Sequence, residues 1–222
     1  MTHKTFFAAI TAFVASFIFG ADVAANDGAY QVVSPDGHLS ATVVVGSDIS
    51  YTVSRDALQL IAPSQISMTL SDGIVFGQDD KVRKVRRDSR DQVWQATVYK
   101  KSDVRDHYNE MILEFKEFSL TFRAYDDGVA YRFASKLKGD FTVMSEKAEF
   151  AFAKDWDAFI PYVKQHTKTL ETQYFNSFEN TYKEHRLSEW NKSRLAFAPL
   201  VVNADNGVKV LLTEADLLDY PG

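Results

Sequence analysis

Glu179, Tyr182, Glu184 and Glu189 place three carboxylates and a phenol in one short stretch of otherwise irregular sequence. Carboxylates on a loop can ligate calcium, which takes oxygen ligands and tolerates flexible geometry. A pair of them can equally serve as acid and base in sugar hydrolysis. On residue types alone, a solvated charged loop accounts for them better than either chemistry. Arg105-Asp106-His107-Tyr108-Asn109-Glu110 is a second polar run, suited to a sugar or a protein partner. Its plainer reading is a hydrogen-bonded loop bracing a sheet. KVRKVRRDSR at 81–90 suits an anionic partner, yet Asp79, Asp80, Asp88 and Asp91 offset its charge. A solvated strand with Val82 and Val85 buried is the simpler expectation there.

Other chemistries are excluded. The 222 residues contain no cysteine, which removes disulfides, thiolate metal sites and cysteine nucleophiles. There is no phosphate-binding glycine-rich loop, HExxH or GxSxG. His3, His38, His107, His166 and His185 stand singly, without metal-ligand spacing. A net charge of −5 argues against a nucleic-acid partner, for which a basic face is the usual footprint.

The elements that must position these residues are strands. Over 104–133, Met111, Leu113 and Phe115 alternate with Ile112, Glu114 and Lys116; Phe118, Leu120 and Phe122 alternate with Ser119, Thr121 and Arg123; and Val129, Tyr131 and Phe133 resume the alternation. A period of two puts successive side chains on opposite faces of a sheet. Tyr125-Asp126-Asp127-Gly128 supplies the turn between the last two, so the stretch reads as a meander. Further strands are expected at 30–33, 39–45, 49–53, 58–61, 66–70, 93–99, 196–202 and 208–212, with two more inside 140–152. Pro63 should separate 58–61 from 66–70. Closely spaced turns and an aromatic content of 14% predict an all-β chain, a large antiparallel β-sandwich. Residues 163–193 lack periodicity and should form a long irregular loop, where Tyr174, Phe178 and Trp190 are candidates for stacking on sugar rings. At the start, Lys4, an uncharged apolar run at 6–19 and Val23-Ala24-Ala25 read as a signal peptide over 1–25. The chain is then expected in a periplasm or outside the cell, as one domain over 26–222 with no membrane attachment after cleavage.

Several of these motifs together resemble the amino-terminal domain of glycoside hydrolase family 97. They are Ser34-Pro35-Asp36-Gly37, the run 104–110, Tyr125 to Phe133, Glu179-x-x-Tyr182 followed by Arg186-Leu187-Ser188-Glu189, and 214–220, in that order. The resemblance implies a super-sandwich that precedes a catalytic (β/α)₈ barrel in exported α-glucosidases and α-galactosidases. It also implies a calcium ion in the active site of the inverting members, one of whose ligands comes from the E-x-x-Y segment. Glu179 holds that position here, with Glu171 as the fallback because 163–177 is longer than the family's usual step. Acid, base and nucleophile belong to the barrel, so this domain alone is expected to bind calcium weakly or not at all and to hydrolyse nothing. Strands beyond Gly222 are implied too, which would leave 208–212 or a neighbour as an unprotected edge. A stand-alone carbohydrate-binding or structural periplasmic sandwich is the alternative.

Overall fold

A computed structural model describes residues 28–164, 169–176 and 178–215. The signal-peptide expectation over 1–25 and the residues 216–220 of the closing motif lie outside them. Three antiparallel sheets account for the described chain.

The first sheet has the order β1-β2-β3-β4-β10, with β5 also paired to β4. Its strands are β1 (Ala29–Val33), β2 (Leu39–Val45), β3 (Ile49–Arg55), β4 (Leu58–Leu70), β5 (Val75–Phe76) and β10 (Val143–Ala148). The expected Ser34-Pro35-Asp36-Gly37 turn joins β1 to β2: Gly37 takes φ 81°, a left-handed conformation, and its N–H donates to the Ser34 carbonyl at 3.0 Å. The second sheet is the meander, in order β6 (Lys84–Gln95), β7 (Asp103–Glu114), β8 (Phe118–Tyr125), β9 (Val129–Ser135).

Alternation decides what is buried. Leu39, Ala41 and Val43 of β2 and Ile49 and Tyr51 of β3 face inward, opposite Met111 and Leu113 of β7 and Phe118, Leu120, Phe122 and Ala124 of β8. β1 and β2 lie against β7, β8 and β9, so these two sheets form the sandwich expected from the sequence. Tyr51 bridges the layers, with ring centroids 5.8 Å from both Phe122 and Tyr131.

Three local expectations are corrected. Pro63 does not divide 58–70, because the β3 pairing shifts register opposite it, between Tyr51↔Ser64 and Val53↔Ile61. At such a bulge no ladder N–H is required of the proline. Residues 84–90 of the basic cluster and Trp94 belong to one strand, β6, that ends at Gln95; Val98 and Tyr99 lie in the turn beyond it and are exposed. Val85 is exposed rather than buried, and only Val82 packs against the core, because β6 is the edge of its sheet. Lastly, β10 is the one named strand within 140–152, where Phe152 adds only a single bridge to Ile61.

The polar run 105–110 is not the loop expected but lies inside β7, where its side chains brace the sheet and, through Asn109, the layer opposite. Arg105 binds Asp91 through both Nε and Nη2 at 2.7 Å. Asn109 Nδ2 donates to the Val33 carbonyl at 2.9 Å, and Arg123 Nε to Glu110 at 2.6 Å. Each is the structural work that the plainer reading required.

Candidate functional site

The third sheet, in order β12-β11-β13-β14, carries the stretch that holds Glu179. Its strands are β11 (Asp157–Ile160), β12 (Lys183–Arg186), β13 (Leu200–Asn203) and β14 (Lys209–Leu212). Ala158 and Ile160 of β11 are fully buried and pair with His185 and Lys183. Cross-strand partners share a face, so Glu184 and Arg186 point the other way, into solvent. Among the described residues β14 pairs with β13 alone.

Tyr162, just past β11, organises the segment expected to be irregular. It is buried, and its ring is stacked by His185 at 5.6 Å, met edge-on by Trp190 at 6.0 Å and covered by the Arg194 guanidinium at 4.7 Å. The hydroxyl lies 3.0 Å from His185 Nε2 and accepts from the Asn191 N–H at 2.9 Å. His185 Nδ1 sits 2.8 Å from the Arg186 carbonyl. A carbonyl can only accept, so Nδ1 carries the hydrogen and Nε2 is left to accept from Tyr162. The Tyr162 carbonyl takes Asn180 Nδ2 at 3.0 Å.

A short helical turn, α1 (Leu170–Gln173), is capped by Thr169 and delivers Gln173 to the interior. Gln173 is 2% exposed, yet both ends of its amide are used. Nε2 donates to the Ser193 carbonyl at 2.8 Å, and Oε1 accepts from the Leu195 N–H at 2.9 Å.

Glu179 stands between two anchored residues. On one side Phe178, at φ 52°, packs edge-on against Phe197 at 6.1 Å. On the other, Asn180 is tied to Tyr162, and Tyr182 donates its hydroxyl to the Pro199 carbonyl at 2.9 Å. The Glu179 carboxylate is thus exposed on a backbone held at both flanks, and no hydrogen bond or ion pair engages it among the described residues. Glu184 is exposed on the solvent face of β12. Glu189 is occupied: Oε2 accepts the Arg186 N–H at 3.0 Å, capping the 3₁₀ turn of Leu187–Glu189. Glu171 is exposed in α1. Among the described residues no three His, Asp or Glu converge as a metal site. Calcium takes roughly six to eight oxygens, and Glu179 offers two on one exposed carboxylate.

Trp190, with Phe150, Phe152, Lys154, Asp155, Leu187 and Ser188, lines an open cleft of about 450 Å³. Asp155 accepts from Ser188 N and Oγ at 2.8 and 2.9 Å, and Asp205 accepts from Trp156 Nε1 at 3.0 Å and pairs with Lys154. For Asp155 the Ser188 backbone and hydroxyl bonds, and for Asp205 chiefly the Lys154 bond, hold the carboxyl below the usual carboxylate range. Depressed folded-state values mean the stabilisation is present above the ordinary carboxylate pKa and is lost as pH falls through the depressed values. Acidification is therefore expected to loosen the turn at 187–190 before the sandwich. Amide exchange of Ser188 and Trp190, followed from neutral pH into that acid range, should accelerate ahead of Met111 and Phe122.

Tyr162, His185, Gln173 and Arg194 had no signal in the sequence beyond the aromatic run at 156–162, since side chains that lock an irregular segment obey no period. The polar aromatic hub they make is tied to the residue after Glu179 by the Asn180–Tyr162 bond.

Comparison with known proteins agrees with this architecture. The retaining alpha-galactosidase of Bacteroides thetaiotaomicron is 44% identical over 195 residues, covering 87% of this chain and 30% of that protein. A glycoside hydrolase family 97 enzyme from Pseudoalteromonas sp. strain K8, solved with acarbose and, as a variant, with panose, superposes with a TM-score of 0.71 at 25% identity. That match covers 86% of this chain and 29% of the enzyme. A beta-arabinopyranosidase shares the fold, with a TM-score of 0.71 at 23% identity over 82% of this chain and 31% of its own. The chain thus spans about a third or less of these relatives. Residues 32–222 match the Glycosyl-hydrolase 97 N-terminal family, and the chain belongs to it.

Proposed function

We propose that this chain is the supporting amino-terminal domain of an exported glycoside hydrolase acting on α-linked galactosides or glucosides. The catalytic (β/α)₈ barrel follows in the same polypeptide. The observation that carries this reading is the 44% identity, over 87% of the chain, to a retaining alpha-galactosidase. It favours galactosides over glucosides, since the enzyme solved with acarbose and panose stands at 25%. Glu179 supplies one carboxylate to a calcium ion at the junction with the barrel, the role the family resemblance implies in inverting members, carried here to a chain whose 44%-identical relative is a retaining enzyme. Its exposure, its lack of an internal partner and the anchored residues on both sides support that role. The cleft beside Trp190 offers the stacking surface for sugar contacts. Acid, base and nucleophile come from the barrel, so the domain positions and does not itself transform the sugar.

The test is made in the whole polypeptide, with aryl α-galactoside and aryl α-glucoside as substrates and calcium varied by chelation. Glu179→Gln should weaken the calcium requirement's midpoint by about 10–100-fold, the scale on which metal-site changes act, with activity recovered at excess calcium. An unchanged midpoint removes Glu179 from the metal site. Failure to cleave either substrate overturns the glycosidase reading, and retained affinity for α-linked oligosaccharides would then favour a binding module.

A further inference from the structure

β6 is an edge with nothing paired against it among the described residues. Its exposed side chains include Val85, Val93 and Trp94, the last two more than half exposed. The ribbon it makes with β7 outruns the sheet: β7 pairs with β8 only from Tyr108 onward, while β6 and β7 stay paired out to Gln95↔Asp103.

The ladder fixes which backbone groups face outward. Ala96 N–H donates to the Ser102 carbonyl at 2.8 Å, in the same register as Gln95↔Asp103. Hydrogen-bonded and non-bonded pairs alternate in antiparallel sheets, so even-numbered β6 residues bond to β7 and odd-numbered ones turn N–H and C=O to the free edge. Ser89 agrees: its N–H donates to the Asp88 side chain at 2.9 Å instead of joining the ladder.

About Ser89 the edge inverts its charge at the two nearest positions and is neutral on one side farther out. Asp88 mirrors Arg90 and Arg87 mirrors Asp91, while Arg86 falls opposite Gln92, Val85 opposite Val93 and Lys84 opposite Trp94. We propose that β6 is a self-pairing edge on which two copies of this chain associate antiparallel, about a two-fold axis through Ser89. In that register odd residues meet odd residues, as the outward backbone groups require, and five bonded pairs would exchange about ten hydrogen bonds. Asp88 of each copy meets Arg90 of the other, Arg87 meets Asp91, and Val85 meets Val93. Lys84 falls over Trp94, a cation–π contact. Asp91, already held by Arg105, gains a second guanidinium.

Charges on an edge strand ordinarily prevent pairing. Here the signs invert at the two positions on either side of Ser89, so this register brings four opposite-charge pairs together, while an axis moved to Asp88 or Arg90 sets like charges against each other. An isologous contact of this kind uses the β6 edge of both copies and so closes at two.

The test is sedimentation velocity of the full chain from micromolar to sub-millimolar concentration, at low and high salt. A reversible dimer, weakened by salt, is expected. Arg90→Asp places like charges opposite each other twice and should weaken it by about tenfold or more. Adding Asp88→Arg to Arg90→Asp restores opposite pairs and should restore the dimer. Circular dichroism confirms that each variant is folded, which the exposure of both positions favours. A monomer at every concentration overturns the proposal. So does a dimer indifferent to Arg90→Asp, or a folded double variant that fails to recover.

Discussion

Phe118→Ala is expected to destabilise the domain by about 3–5 kcal/mol, the range for removing a buried aromatic side chain. Phe118 opens β8 and is completely buried. Its ring stacks on Phe115 at 4.4 Å with planes 13° apart, and on Phe76 at 4.7 Å with planes 21° apart. Phe133 of β9 leans on it at 5.6 Å. Phe76 belongs to β5 on the first sheet, so this stack ties one layer of the sandwich to the other. Alanine would leave a cavity walled by rings that belong to separate strands and cannot readily collapse together. Aromatic pairing adds about 0.5–1.5 kcal/mol beyond the lost area. Urea unfolding should show a lower midpoint with an unchanged slope. Val98→Ser, at a turn position 94% exposed, is the control and should stay within about 0.5 kcal/mol of the parent. A Phe118→Ala loss of that same small size would mean the stack does not couple the layers.

The stack also marks what was legible in the sequence. Met111, Leu113, Phe118, Leu120 and Phe122 announce their burial by alternation, because a sheet with one wet face imposes that period directly. The all-β sandwich follows from such runs. β6 carries no such signal: an edge strand exposed on both faces has no burial to impose a pattern, so neither the exposure of Val85 nor the end of the strand at Gln95 is written in its residues. Pro63 misled because the bulge that tolerates it is a property of β3, a neighbouring strand, not of the residues beside the proline. In the third sheet the sequence shows little, since Tyr162, Gln173 and Arg194 act through single contacts with distant backbone. Glu179 itself is one acid among several by residue type. It was singled out by the family resemblance alone, and the structure adds that its flanks are held.

Gln173→Ala should cost about 1–3 kcal/mol locally, because the Ser193 carbonyl and the Leu195 N–H each lose the partner that this one buried amide supplies. Both bonds are only half-buried, so water recovers part of the loss. The loss should stay local, since the sandwich core contacts none of these atoms. Amide exchange at Leu195 and across 190–195 should rise while Met111 and Phe122 stay protected, the signature of sub-global opening. Gln173→Glu separates the two bonds: its carboxylate still accepts from Leu195 but faces the Ser193 carbonyl with no hydrogen to give. Burial and that carbonyl would raise its folded pKa above the unfolded value. The variant should therefore be most stable below the ordinary carboxylate range, where the protonated acid donates again, and should weaken as pH rises through the raised value. Uniform destabilisation at all pH values would show that packing, and not the paired hydrogen bonds, holds α1 in place. Asn180 and Tyr182 would still anchor the stretch after Glu179, so the local opening should not by itself displace the proposed ligand. A calcium midpoint that moved with Gln173→Ala would show that the mount depends on α1 as well.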